Sequence, residues 1–514
     1  MTVLSSIYSC SIHGIDGLVV EVEVDISSGL PVYALVGLPD TAIKESKERV
    51  FSAIKNNGFR YPMKKITINL APANIKKEGA YYDLPIAIGI LCASEVITSV
   101  VSLKDYVFIG ELSLKGDIRP VKGILPMVLA ARNNHFKAII VPEENALEAS
   151  LVKEIKVLPA KHIYQVIEYI TGKTEIKPYI TDIDGFLTSE QEHSVDFSEV
   201  KGQESVKRAM EVAAAGYHNM LMLGPPGSGK TMLAKRFATI LPKMTVEESL
   251  EVTKIYSITG LLKGKPLITE RPFRSPHHTI STTSLVGGGT FPKPGEVSLA
   301  HLGVLFLDEM PEFKKSALEV LRQPMEDNVV NISRVSASIT YPASFLLIAS
   351  MNPCPCGYYS DEEHQCQCTP RQIKNYLGKV SGPLLDRIDI QTEVKRTKIE
   401  DLQDNEKAES SKDICTRVNN ARSIQLERYK NEKIYFNSQL SANQINKYCH
   451  LGKNEELLMR HAFERMNLSP RAYHKIIKLA RTIADLRNTE KIDETHIGEA
   501  LQYRNLDRKY WEMY

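Results

Sequence analysis

Apolar and polar residues alternate over positions 17–24 (Gly-Leu-Val-Val-Glu-Val-Glu-Val), the two-residue period of a strand with one buried face. Helical spacing follows over 43–54, 83–93 and 123–131, and further strand-like runs lie at 65–70 and 138–141. These predict an α+β or α/β domain over residues 1–172. Residues 173–194 carry Pro178 and many polar side chains without a period, which predicts a linker. Over 195–395, apolar runs at 219–223, 303–307 and 344–349 are separated by helix-length segments, the pattern of a parallel sheet with crossover helices. From 396 to 514 the strand signal stops and helical patterns such as 455–466 and 471–486 predict a helical domain. The expected fold class is therefore multidomain α/β.

Composition narrows the class. A chain of 514 residues is too long for one ordinary core, and 43% hydrophobic with 25% charged residues excludes wholesale disorder, collagen-like repetition and a disulfide scaffold. Lys plus Arg number 64 against 62 acids, so any grip on a polyanion must come from local clustering. The first ten residues lack a basic segment followed by an apolar one, and no uncharged apolar stretch is long enough to span a bilayer, so no membrane partner and a cytoplasmic location are expected.

Gly224, Pro225, Pro226, Gly227, Ser228, Gly229, Lys230 and Thr231 match the eight-position phosphate-loop pattern, between the apolar run 219–223 and the helical run 232–238. Small residues let backbone N–H groups close around a β-phosphate, Lys230 neutralises β- and γ-oxygens, and the Thr231 hydroxyl can ligate Mg²⁺. The run Val304-Leu-Phe-Leu ends in Asp308 and Glu309, where ligands of open α/β sheets bind. Asp308 is expected to hold Mg²⁺ through water, and Glu309 to polarise the water that attacks the γ-phosphate.

Cys354, Cys356, Cys366 and Cys368 form two Cys-x-Cys pairs separated by nine residues. Four thiolates could hold a structural Zn²⁺ tetrahedrally, with His364 able to replace one; free structural thiols and redox chemistry are the other readings. Residues 326–345 predict a hairpin with Arg334 beside its tip, on its own an exposed hairpin charge. His277 and His278 invite a metal reading, but neighbours on a strand point apart, so a structural role is expected.

The phosphate loop, Asp308-Glu309, Ser350-Met-Asn352-Pro353, Gly382-Pro-Leu-Leu-Asp-Arg387-Ile-Asp389 and Ser469-Pro-Arg471 together resemble the magnesium-chelatase-like AAA+ ATPases, and over nearly all 514 residues the YifB/ComM family. The resemblance implies a Lon-protease-like or ribosomal-S5-like N-terminal domain, a central AAA+ domain and a C-terminal helical lid. It implies that Asn352 is a sensor orienting the attacking water, that Arg387 is an arginine finger acting in trans, and that Arg471 is a second sensor contacting the γ-phosphate from the lid. An intrachain ion pair of Arg387 with Asp386 or Asp389 is the plainer alternative. Ser469 and Pro470 read independently as a helix start. The resemblance also implies ATP and Mg²⁺ as cofactors, a homo-hexamer, and DNA, single-stranded or branched, in a central pore contacted by Arg334. Its implied task is branch migration in recombination or natural transformation.

A Lon-like domain raises proteolysis, which requires a Ser/Lys dyad. The segment Lys77-Glu-Gly-Ala-Tyr-Tyr-Asp-Leu-Pro85 has no serine, and Leu125 stands near the lysine position with Lys122 out of register, so peptide cleavage is not expected. The rival readings are a chelatase-type subunit for metal insertion, an ATP-dependent protein remodeller or peptidase, and a nucleotide switch without turnover.

Overall fold

The computed structural model describes residues 3–188, 195–262, 264–289, 292–334, 337–359, 361, 363–397, 408–432, 434–466, 468–504, 506 and 510–511. The chain forms two compact units, one of residues 1–189 with 246–269 and the other of 190–245 with 270–514.

The first unit is built on a seven-stranded sheet in the order Val32–Val36, Lys65–Ala71, Asp16–Ser27, Val3–His13, Tyr106–Phe108, Ala138–Pro142, Lys156–Ala160. The sequence alternation is visible in Asp16–Ser27, where Val20, Val22, Val24 and Ile26 are buried and the intervening positions are less so. Antiparallel pairing gives way to parallel pairing at Val3–His13, which runs antiparallel to Asp16–Ser27 and parallel to Tyr106–Phe108. The helix Asp83–Ala93 is apolar nearly all round, and every residue in it but Cys92 is buried. Val246–Thr259, a helix inserted in sequence far from the rest of this unit, belongs to it: the Ser257 carbonyl accepts from Gly123 N–H at 3.2 Å, and its hydroxyl donates to Glu148. Within 173–194 the helix Ile183–Thr188 forms in what the sequence suggested was unstructured linker; 189–194 lie outside the described residues.

The second unit holds a five-stranded, fully parallel sheet in the order Phe273–Arg274, Val304–Leu307, Leu346–Met351, Met220–Leu223, Ile390–Glu393. Its inner strands are continuous apolar runs because parallel sheets are covered on both faces; all residues of Met220–Leu223, Val304–Leu307 and Leu346–Met351 are buried. One strand separates Met220–Leu223 from Val304–Leu307, so the loop after the former and the acids after the latter leave the same edge. Val329–Arg334 and Ala337–Pro342 pair antiparallel as the expected hairpin, whose tip at 335–336 lies outside the described residues. After Glu393 the described residues form no strand, only helices including Ser411–Arg428, Lys453–Arg465 and Pro470–Leu486. Among the described residues no helix is long and apolar enough to cross a membrane.

Candidate nucleotide site

The loop 224–229 turns tightly from strand to helix. Gly227 and Gly229 have φ of 79° and 88°, which a side chain would disfavour, and a Cβ on Gly224 would lie 2.2 Å from the Val394 carbonyl oxygen. Lys230 opens the helix Lys230–Phe237 and is 9% exposed; its amine donates to the Gly224 and Pro225 carbonyls at 2.8 Å each and to Asn352 Oδ1 at 3.2 Å. Burial pulls the Lys230 pKa down to about 8, against the opposing pull of Asp308 and Glu309.

The Thr231 hydroxyl donates to Asp308 Oδ2 at 2.7 Å, joining the phosphate loop to the acidic strand end. Asp308 Oδ1 accepts from the Ser350 hydroxyl and, at 3.1 Å, from the Glu309 N–H, which also approaches Ser350 Oγ at 3.3 Å. Glu309 sits at φ 52°, a left-handed conformation costing about 1–2 kcal/mol in a residue with a Cβ, and its side chain is exposed. Three strands thus bring Lys230, Thr231, Asp308, Glu309 and Asn352 to one edge. Two adjacent hard oxygens on Thr231 and Asp308 are a donor set that suits Mg²⁺.

Arg387 and Arg471 meet at one carboxylate, Glu326. Arg387, 8% exposed, donates to the Pro383 carbonyl and is ion-paired with Glu326 at 2.5 Å rather than with Asp386 or Asp389. Arg471, exposed in the first turn of Pro470–Leu486 with Ser469 as the cap, reaches the same Glu326 at 3.0 Å. Arg334 pairs in register with Ala337 beside the hairpin's tip, and its side chain lies outside the described residues. His277 and His278 lie outside any strand, so the alternation argument does not apply to them, and their rings approach to 4.1 Å between centroids. In the first unit, Leu125 is fully buried, as is Tyr82, and Tyr81 is nearly so.

The sulfurs of Cys354, Cys356, Cys366 and Cys368 all lie within 4.8 Å of one another, a group compatible with zinc. Burial raises the Cys356 thiol pKa, but N–H groups of Tyr358 and Gln367 together with Cys354 and Cys368 bring it to about 6. His364 is not in the group; it stacks on Tyr358 and faces Asp361 at 3.6 Å.

Two partners escaped the sequence reading. Ser350 lay within a motif read for Asn352, and only the strand order shows that its hydroxyl meets Asp308. Glu326 lies in a different part of the sequence from either arginine, and no local pattern marks it.

Comparison with known families gives three matches: residues 196–402 match "Magnesium chelatase, subunit ChlI", 22–145 match "Subunit ChlI of Mg-chelatase", and 408–504 match "Magnesium chelatase, subunit ChlI C-terminal". The competence protein ComM of Haemophilus influenzae is 42% identical over 508 residues, covering 98% of both chains. The protein YifB of Escherichia coli K12 is 43% identical over 507 residues, again covering 98% of both.

Proposed function

We propose a function from the premise those matches establish: the chain belongs to the YifB/ComM family of magnesium-chelatase-like AAA+ ATPases. It binds MgATP at the 224–231 loop and hydrolyses it, as a homo-hexameric ring in the cytoplasm that moves DNA through a central pore. The single observation that carries the nucleotide reading is the 2.7 Å hydrogen bond from Thr231 to Asp308, which puts the two halves of the site in contact.

Lys230 neutralises the β- and γ-oxygens, exchanging its present carbonyl partners for phosphate. Thr231 and Asp308 hold Mg²⁺, which when bound supplies charge neutralisation across the β- and γ-phosphates. Glu309, exposed beside Asp308, accepts the proton of the attacking water, and Asn352 orients that water with its amide. Arg387 serves a neighbouring subunit's transition state in trans, and Arg471 reads the γ-phosphate from a C-terminal lid spanning 396–514.

The relative named a competence protein supports the further step that the motor acts on DNA during natural transformation, promoting branch migration, with Arg334 beside the hairpin tip as a backbone contact. Near-balanced charge implies that a few pore cations per subunit set the salt dependence. The N-terminal domain, lacking a serine nucleophile in the 77–85 segment, organises the ring or binds a partner.

The test is ATP hydrolysis by the purified chain with and without forked or four-way-junction DNA. Junction DNA is expected to stimulate phosphate release, and Lys230→Ala to abolish it. Stimulation by a metalloporphyrin or by casein, and not by DNA, would favour a chelatase-type or protein-remodelling role instead.

A further inference from the structure

The segment between the strand Leu346–Met351 and the helix Pro370–Leu377 has no regular secondary structure among its described residues, yet Asn352 and the four clustered cysteines all lie on it. A stretch of this length without elements of its own needs something to fix it. The cysteine sulfurs have the geometry for that. Cys354 to Cys366 is 3.7 Å, Cys356 to Cys366 is 3.6 Å and Cys354 to Cys356 is 3.3 Å. A disulfide needs sulfurs about 2 Å apart. A tetrahedral ion with Zn–S bonds of about 2.3 Å places its sulfurs about 3.8 Å apart, close to the observed spacing.

The same segment touches the phosphate loop. Gly357 stands at φ 87°, and a Cβ there would fall 2.4 Å from Pro226 Cδ, so the cysteine loop lies in contact with the phosphate loop with no room for a side chain. Its N–H donates to the Cys354 carbonyl at 3.0 Å, tying this contact to the first cysteine. On the other side the Asn352 side chain accepts from the Lys230 amine at 3.2 Å, so the segment reaches the phosphate loop at a second point. The loop's outer part is held by Arg396, which lies over the Tyr358 ring and pairs with Asp361 at 3.7 Å.

We propose that Cys354, Cys356, Cys366 and Cys368 bind one Zn²⁺ that acts as a strut, holding Gly357 against Pro226 and Asn352 beside Lys230 so that the phosphate loop keeps its nucleotide-binding shape. Four thiolate ligands leave no open position, so the ion is structural. Binding releases the thiol protons still present and needs no oxidant or reductant. The strut role rests on the nucleotide reading above; the metal centre does not.

The test uses the purified full-length chain. Plasma mass spectrometry is expected to find one zinc per chain, and Co²⁺ exchanged into the wild-type protein to give the thiolate-to-cobalt charge-transfer absorption of a tetrathiolate site. Cys366→Ser/Cys368→Ser is expected to lose the metal. Chelation of the wild-type protein is expected to weaken binding of a fluorescent ATP analogue about tenfold or more, with Zn²⁺ restoring it. Gly357→Ala, which keeps all four ligands, is expected to keep zinc and still weaken nucleotide binding. Absence of both zinc and the cobalt band overturns the metal centre. A zinc-loaded chain whose nucleotide affinity is unchanged by chelation overturns the strut. Failure of the nucleotide reading looks different: one zinc and the cobalt band would be present, supporting the centre, while no ATP analogue bound in any metal state.

Discussion

The Arg387 guanidinium lies 2.5 Å from the Glu326 carboxylate of its own chain. That pair, with the other Glu326 interactions opposing its partial burial, holds the Glu326 pKa below the ordinary carboxylate range. In the proposed trans role Arg387 must leave this partner, so there Glu326 would compete with the phosphate for it. Because the Glu326 side chain is 42% exposed, the competition is worth at most about 1 kcal/mol, or about fivefold in rate. Glu326→Gln is therefore expected to raise steady-state ATP hydrolysis by up to about fivefold, and Arg387→Ala to lower it by about a thousandfold. Phosphate release at saturating ATP measures both; a slower Glu326→Gln variant would mean that the carboxylate positions Arg387 rather than restrains it.

The depressed pKa of Lys230 predicts how nucleotide affinity varies with pH. Only the ammonium form attracts phosphate, and burial has brought its pKa to about 8. Bound phosphate favours the charged form, so affinity is full below pH 8 and falls as pH rises through it, approaching about tenfold per unit well above. Titration of a non-hydrolysable ATP analogue at fixed free Mg²⁺ between pH 7 and pH 10 should show this decline. Flat affinity over that range would mean that Lys230 is not the phosphate's cation.

Thr231 and Glu309 should separate by the step each serves. Thr231→Ala removes one oxygen from the donor pair, so its expected defect is a higher Mg²⁺ requirement, partly corrected by excess Mg²⁺. Glu309→Gln keeps the shape and one acceptor oxygen but removes the charge and the base, so hydrolysis should fall by about 10²–10⁴ while ATP stays bound. Rapid filtration of radiolabelled ATP on the two variants reads binding and turnover separately. Normal turnover by Glu309→Gln would remove Glu309 as the base.

The phosphate loop and the acids after Val304–Leu307 were legible because each needs only a strand, a turn and a few contiguous residues. Their neighbourhood was legible too, since parallel strands present their carboxyl ends at one edge. What was not legible depends on distant pairing. No local pattern ties Glu326 to Arg387 and Arg471, because ion pairs between segments far apart in sequence leave no periodic trace. The helix Val246–Thr259 lies between the phosphate loop and the acidic strand in sequence, and its packing with Gly123 and Glu148 could not be inferred from its own residues. For the histidine pair only the strand premise fails: the strand ends at Arg274, and Pro276 stands just before His277.

Asp389 anchors the Arg387 segment to the rest of the second unit, and this can be tested by stability. Its carboxylate meets Lys475 at 2.8 Å and His218 at 3.5 Å, and accepts from the Asn219 N–H at 3.2 Å, while the Asn219 side chain donates to the Arg387 carbonyl at 3.0 Å. Burial alone would raise the Asp389 pKa, but Lys475 and His218 outweigh it and hold the group well below the carboxylate range. Burial in turn keeps His218 below its ordinary value, despite Asp389. Lys475→Met strands the carboxylate and should cost about 3 kcal/mol, lowering the melting midpoint by about 6–12 °C. The loss should be greatest where His218 is neutral and shrink as pH falls, because removing Lys475 takes away one of the charges that hold the imidazole pKa down and so eases its protonation beside Asp389. Relative to the wild type, a higher folded His218 pKa in the variant makes the stability difference between the two smaller as pH falls. Adding Asp389→Asn to Lys475→Met removes the stranded charge and should recover part of the loss at pH 8. Thermal melts of the wild type and these variants at pH 5.5 and pH 8 decide the matter, and equal destabilisation at the two would show that Lys475 stabilises by packing rather than by charge.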